Sequence, residues 1–242
     1  MKSISSRRIR LGAVLTGAVM AGGLSLTALG LGHSGRSDDV ARIQSATRVF
    51  HAIMKTPDKG IPKELLEGAR CIAIIPGEKK LAFGIGGNYG KGLVSCRTAA
   101  GWSAPLFLQI GGGSWGLQLG GSSTDVVMVF MSRSGLNHLL SNKFKIGAGA
   151  TAAAGPVGRH AEAATSASMH GKILTYSRSR GLFAGVSLNG AVVQPDDSGN
   201  RSMYGVVTNE AILNGQVKAP VVAAPLLREL NVYSAAARAE NQ

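Results

Sequence analysis

The feature that most constrains the fold is a series of short apolar segments that recur at about ten-residue spacing from residue 71 onward. Such segments, punctuated by turn-forming stretches at 88–90 and 99–101, are typical of antiparallel sheets. The candidate strands are 71–75, 81–87, 92–97, 106–110, 117–119, 125–131, 173–177 and 183–193. Glycine provides 34 of 242 residues, which suits sharply bent strands and close backbone approach. The pattern predicts an α+β domain built on a mainly antiparallel, glycine-rich sheet or barrel-like body.

Short helices are predicted to flank this sheet. Ser37 is a candidate N-cap with Asp38 and Asp39 in the first turn, and apolar residues recur after it at three- and four-residue steps. These positions, Val40, Ile43, Thr47, Phe50 and Met54, predict an amphipathic helix over 38–56. Further short helices are expected near 61–69, 135–140 and 209–213, a turn or helix over 195–204, and a last helix in the tail.

The N-terminus has the layout of a secretory signal, because four cations within the first ten residues precede an uncharged stretch at 11–32. Residues 1–30 are therefore interpreted as a signal peptide or, alternatively, as an uncleaved N-terminal anchor, since 22 residues suffice to span a bilayer. The remaining chain divides into one domain at 37–215 and a tail at 216–242. The signal predicts an exported protein of the periplasm or cell envelope, and an uncleaved anchor would keep it associated with the membrane.

The charge balance indicates an anionic partner. Lys and Arg number 26 against 13 Asp and Glu, a formal charge of +13. Removing the four cations of the first ten residues leaves 22 against 13, or +9, so the bias does not come from the signal. Nucleic acid is not expected, because aromatic residues are only 5% and an exported protein rarely meets it.

The two cysteines, Cys71 and Cys96, could join in an oxidising compartment. In a simple three-strand meander they would lie at opposite ends, ~17 Å apart for five residues at ~3.3 Å each. A disulfide needs Cα atoms within about 7 Å. A bond would therefore require a bend, a register shift or another strand order, and the question stays open at this stage.

Two motif matches carry little chemistry. Residues 111–116 spell G-x-G-x-x-G, but no helix pattern follows, as a dinucleotide site would need. Residues 112–116 spell G-x-S-x-G around Ser114, followed by Asp125 and by His138, His160 or His170, in hydrolase order, and again without the helix of a nucleophile elbow. The histidines show no metal-binding spacing, so neither metal nor cofactor is expected.

Four long stretches taken together are similar to the SYLF family of lipid-binding domains, described in its fungal members as an actin-binding domain. They are residues 71–97, 101–131, 135–163 and 173–205, and they contain, in order, GWSAP, GGGSWGLQ, SSTD, AAGPVGR, YSRSRGLFAG and PDD…YG. The resemblance implies a non-catalytic domain that binds acidic phospholipid, helped in some members by an N-terminal amphipathic helix. The helix at 38–56 occupies that place. Actin is not expected as a partner in a bacterial envelope, and the resemblance supplies no ligand residues.

We therefore expect an exported, non-catalytic protein that binds anionic phospholipid at a membrane surface. Charge and amphipathicity select the site: Arg42, Arg48 and Lys55 flank the contact, Val40, Ile43 and Phe50 enter the interface, and Lys79 and Lys80 in a turn add charge. The alternative is an envelope structural or assembly protein that binds a protein or an acidic polymer. A serine hydrolase using Ser114 is the third interpretation.

Overall fold

In the computed structural model, the residues described are 35–56, 60–83, 85–115, 120–132, 144–146, 152–156, 173–179, 182–185, 188 and 190–240. The helices are α1 (Arg36–Met54), α2 (Lys63–Gly68), α3 (Asp197–Tyr204), α4 (Asn209–Leu213) and α5 (Ala224–Glu240). A 3₁₀ turn at Val221–Ala223 precedes α5. The predicted helices near 38–56, 61–69, 209–213 and in the tail are thus confirmed, and the turn or helix predicted over 195–204 contains α3. The expected helix at 135–140 lies outside the described residues.

Ten described strands form the body of the protein. They are β1 (Cys71–Phe83), β2 (Ile85–Thr98), β3 (Gly101–Trp102), β4 (Leu106–Trp115), β5 (Gly120–Phe130), β6 (Phe144–Lys145), β7 (Ala152–Ala154), β8 (Ile173–Ser179), β9 (Leu182–Gly185) and β10 (Val192–Pro195). Along the curled sheet the order is β6-β10-β4-β2-β1-β5-β8-β7, while β3 pairs with β2 and β9 with β8. The β7–β8 pair is parallel and the other described pairs are antiparallel. The predicted α+β class with a mainly antiparallel sheet is confirmed.

The central hairpin is longer than the sequence pattern predicts. Pro76-Gly77 does not stop the first strand, because β1 continues to Phe83 across an irregularity in its pairing with both neighbours. Gly77 has φ 59°, a left-handed conformation that glycine adopts at no steric cost, and its N–H donates to Asp125 Oδ1 at 3.0 Å. The turn predicted at 88–90 is wrong, since these residues lie inside β2. The turn at 99–101 is confirmed in part, by the described turn at 99–100.

This hairpin answers the disulfide question. Cys71 and Cys96 are direct register partners on β1 and β2, their Cα atoms are 4.0 Å apart, and a disulfide joins them. A three-strand meander would have placed the two cysteines at opposite ends of the sheet. Instead, β1 and β2 are two long strands of one hairpin, and both cysteines lie at the same end of it. Both residues are buried, at 0% and 2% exposure.

Alternation along β1 places side chains in two hydrophobic cores, one on each face of the sheet. Ile72 and Ile74 join the core covered by α1, α2 and α5, whose largest members include Phe50, Phe107 and Tyr176. Cys71, Ala73 and Ile75 join the opposite core, which contains Met128 and Phe130 and is covered by Ile212 and Leu213 of α4. A sheet buried on both faces explains why its strands are near-continuous apolar runs.

The C-terminal segment contributes to the first core, because Ala223, Leu226 and Leu230 are buried there at 0–1% exposure. Residues 33–242 form one compact unit. A domain boundary at 215 therefore leaves out a helix that the core uses. The strand candidate at 117–119 lies outside the described residues.

Candidate functional site

Helix α1 lies across the sheet with one face buried and the other in solvent. Its buried residues are Asp39, Arg42, Ile43, Ala46, Val49, Phe50 and Ile53. Arg48 and Lys55 are exposed on the opposite side. Seven residues, two helical turns, separate them, so both cations project from one solvent-facing side. This side of α1 is the outer face.

The apolar residues that were expected to enter a membrane lie elsewhere. Ile43 and Phe50 are 0% exposed and belong to the hydrophobic core, while Val40 is half-buried against it. In this fold Ile43 and Phe50 are not available to an interface, which corrects their assignment as inserting residues. The physical reason is that the apolar stripe of a surface helix is satisfied by its own domain before it meets any partner.

Arg42 is also buried, at 9% exposure, and holds α1 on the sheet. Its Nη1 donates to Asp196 Oδ2 at 2.9 Å and its Nη2 lies 3.3 Å from Asp39 Oδ1. Its guanidinium also stacks 5.1 Å from the centre of the Phe107 ring. Arg42 therefore acts as an internal contact in this structure, and its assignment to a membrane-facing flank is corrected.

Asp196 is the centre of this charged cluster. It is the N-cap of α3, and its Oδ1 accepts from Ser198 Oγ at 2.7 Å and from the backbone N–H of Gly199 at 3.4 Å. Its Oδ2 accepts from Arg42 and also pairs with Lys91 Nζ at 3.0 Å. Burial alone would raise the pKa of Asp196, but the hydrogen bonds from Ser198, Lys91 and Arg42 outweigh it and lower the pKa to about 2.

Asp39 has the opposite shift. Its side chain is 0% exposed, and burial raises the pKa of this carboxyl group, with the Ser202 hydroxyl and the Arg42 guanidinium offsetting the effect only in part. The cluster thus contains two buried carboxyl groups whose pKa values are pushed apart. The cluster does not resemble a nucleophile paired with a base, so we interpret it as a set of contacts that holds α1 on the sheet.

A surface groove of about 380 Å³ runs beside this cluster, between α1 and the β1–β2 hairpin. Arg42 and Lys91 line it, and the Tyr89 side chain at its edge is 51% exposed. Ser45 also lines it and accepts a 2.8 Å hydrogen bond from Arg48 Nη2, which places Arg48 at the rim. Asp196 already pairs with both lining cations, whereas Arg48 at the rim is exposed and open to an anionic partner.

Lys79 and Lys80 lie within β1, not in a turn as expected. They pair with Tyr89 and Asn88 of β2 and with Ser123 and Ser122 of β5. Their side chains lie outside what the structure describes. Lys79 is thus a register partner of the exposed Tyr89 at the groove, a neighbourhood that sequence spacing did not indicate.

The glycine-rich motifs at 111–116 belong to a strand. Ser114 lies inside β4 opposite Gly86, and Asp125 is engaged by Arg178 Nε at 3.2 Å and by the Gly77 N–H. A nucleophile elbow needs a tight turn at the serine, which an extended strand does not supply. The three histidines in hydrolase order lie outside the described residues.

Among the described residues, no three His, Cys, Asp or Glu side chains gather in a way that could hold a metal ion. None of the described helices is long and apolar enough to cross a bilayer.

Sequence reasoning missed Lys91, Tyr89 and Asp196 as site residues. An Asp two residues before Ser and three before Gly is a local signal that could have indicated the N-cap at Asp196. The pairing of Asp196 with Arg42 joins residues 154 positions apart and left no local signature.

Comparison with known proteins shows which family and which individual proteins this chain is similar to. A family model named Ysc84 and described as "Las17-binding protein actin regulator" matches residues 111–233. The SH3 domain-containing protein PJ696.02 of Schizosaccharomyces pombe is 39% identical over 176 residues, covering 71% of this chain and 41% of that protein. Protein YSC84 of Saccharomyces cerevisiae is 38% identical over 197 residues, covering 77% and 42%.

A vertebrate protein is also similar to this chain. The SH3 domain-containing YSC84-like protein 1 of Rattus norvegicus is 32% identical over 189 residues, covering 77% of this chain and 55% of that protein. The chain therefore spans about two fifths of its yeast relatives and about half of the vertebrate one. The family description names a binding protein and regulator.

Proposed function

Since the chain belongs to the Ysc84 family, which includes the SYLF-type domains, we propose that it is a non-catalytic binding protein whose partner is an anionic phospholipid membrane. The observation that carries the proposal is the outer face of α1, where Arg48 and Lys55 are exposed to solvent and Arg48 lies at the rim of the Arg42–Lys91 groove. A net charge of +13 supports an anionic partner.

The binding mechanism follows from the placement of these charges. Each Lys or Arg near an anionic leaflet contributes about 1 kcal/mol, and the attraction decays within a Debye length. Helix α1 stays docked on its sheet, because releasing its apolar face would expose Ile43, Phe50 and Ile53 and break the Arg42 contacts. Contact is therefore made by the outer face with the fold intact.

We further propose export to an oxidising compartment such as the periplasm or cell envelope. The signal-like N-terminus and the Cys71–Cys96 disulfide both support this location, because disulfides persist where thiols are not kept reduced.

The test is co-sedimentation of the full chain with phosphatidylcholine vesicles, with and without phosphatidylglycerol, at low and high salt. Anionic lipid should raise binding above the neutral level, and salt should remove the increase. Charge reversal of Arg48 and Lys55 together should lower the increase at least tenfold. Arg42 is unsuitable for this test because reversing a buried charge would perturb the fold.

The matched control reverses Arg70 and Arg228, two exposed cations outside α1 that change the net charge equally. This control should lower binding to anionic vesicles far less than charge reversal of Arg48 and Lys55 does. No preference for anionic vesicles would overturn the lipid proposal, and equal losses in both double variants would reduce it to an effect of net charge.

A second candidate is a protein partner. The family description names Las17 binding and actin regulation for its members, which favours recognition of a protein surface by the same domain. Protein-free vesicles separate the two candidates. A lipid-binding domain sediments with these vesicles, whereas a domain that binds only a protein partner stays in the supernatant.

A further inference from the structure

A second surface groove, of about 510 Å³, lies at the N-terminal end of α1. Helix α3 and the segment that leads into α5 form its other walls. Its apolar lining includes Val40 of α1, Met203 of α3, and Val221 and Val222 of the 3₁₀ turn. We call this the terminal groove.

One edge of the terminal groove carries an aliphatic side chain that the domain does not cover. Val221 is 91% exposed although it lines the groove, and Val206, two residues beyond the lining residue Tyr204, is 95% exposed. A single exposed valine is ordinary on a protein surface. An exposed valine continuous with an apolar groove is typical of a surface that contacts another apolar phase.

The described charged residues of the terminal groove are both cations. Arg36 and Lys218 line it and are exposed, and no acidic residue occurs among the lining residues that the structure describes. Two cations beside the exposed Val221 complement a surface that presents phosphate groups above a hydrocarbon layer. That is the layered chemistry of an anionic bilayer.

We propose that the terminal groove is the part of the domain that inserts into an anionic membrane, with Val221 entering the headgroup region and Arg36 and Lys218 contacting lipid phosphates. This inference rests on the proposed lipid-binding function and deepens it. It supplies the apolar contact that Ile43 and Phe50, both in the core, do not make.

A single introduced cysteine reports insertion directly. The two natural cysteines are joined in the disulfide, so Val221→Cys can be labelled with an environment-sensitive fluorophore. On phosphatidylcholine–phosphatidylglycerol vesicles the emission of this label should shift to the blue. The matched control is Val232→Cys, at an exposed valine of α5 outside the groove lining, whose label should not shift.

Affinity gives the second readout. Val221→Ser should weaken binding to these vesicles several-fold, up to about tenfold, because the inserted side chain loses its apolar transfer. Val232→Ser should leave binding unchanged. Reversal of Arg36 and Lys218 together should weaken binding by at least tenfold at low salt. Val221 and Val232 are both exposed, so neither serine variant should alter thermal unfolding.

The outcomes separate the inference from the function on which it rests. If anionic lipid does not raise binding of the unaltered chain, both are overturned. If it does, but the Val221 label stays in water and Val221→Ser binds normally, only the terminal-groove inference is overturned. A blue shift that depends on protein concentration without vesicles would place a second copy of the chain on this groove and would also overturn it.

Discussion

Arg42 and Asp196 are 154 residues apart in the chain, and a 2.9 Å hydrogen bond between Nη1 and Oδ2 joins them beneath helix α1. Lys91 shares the same carboxylate oxygen from strand β2. One carboxylate therefore ties α1, the sheet and the start of α3 together. The cluster decides which face of α1 can meet a partner.

Replacing Arg42 with Ala should destabilise the fold by about 3 kcal/mol, because it strips Asp196 and Asp39 of a buried counter-charge. Urea unfolding followed by circular dichroism measures this as a lower transition midpoint. Arg48→Ala, on the exposed side of the same helix, should stay within about 0.5 kcal/mol of the unaltered protein. Equal midpoints for the two variants would show that the cluster does not fasten α1.

Stability should fall in acid as Asp196 is protonated. Its pKa is lowered to about 2 in the folded state, so its contribution is complete above the unfolded pKa near 4 and is lost as pH falls from about 4 to 2. The loss should be about 2 kcal/mol, and Asp196→Asn should lack it. Unfolding free energies measured across this range, with exposed Asp38→Asn as control, test the assignment.

Asp39 should act with the opposite sign. Its pKa is raised by burial, so folding favours its protonated form and its own contribution makes stability rise as pH falls through the raised value. The comparison of Asp39→Asn with Asp196→Asn should therefore show pH slopes that differ from the unaltered protein in opposite directions. Parallel slopes would contradict the two assignments.

Reduction of the Cys71–Cys96 disulfide should lower the free energy of unfolding by about 3 kcal/mol, since the bond closes a loop across a sequence separation of 25. Urea titrations with and without dithiothreitol measure the difference. A Cys71→Ala/Cys96→Ala variant serves as the control, because reductant should not change its midpoint. A reductant effect on that variant would show that the loss comes from another source.

Gly92→Ala should destabilise the central hairpin. A Cβ at this position would overlap the carbonyl oxygen of Ile74 and lie 2.8 Å from the Ile75 Cα, and backbone atoms of a central strand cannot move aside cheaply. We expect a loss of about 2 kcal/mol by thermal unfolding. Gly35→Ala, whose added methyl group would meet only Ser37 Oγ at 3.5 Å, should cost a few tenths. Similar effects at both sites would rule out close strand approach at Gly92.

Local patterns in the sequence determined much of the secondary structure. The three- and four-residue spacing of Val40, Ile43 and Phe50 predicts α1, because only a helix brings those side chains to one face. Apolar runs bounded by turn residues likewise predict most described strands. The hairpin turn was misplaced because Gly77 allows β1 to continue through a proline and a left-handed residue, which local turn signals do not reveal.

The sequence by itself determined that α1 has an apolar side and a basic side, that short strands form a mainly antiparallel sheet, and that the chain resembles the SYLF family. Only the tertiary structure decided which of those residues face solvent. Burial depends on contacts between segments far apart in the chain, and periodicity cannot show whether an apolar stripe meets a membrane or the domain's own sheet. For that reason Arg42 is buried within the domain, whereas Arg48, six residues later in the chain, remains at the surface.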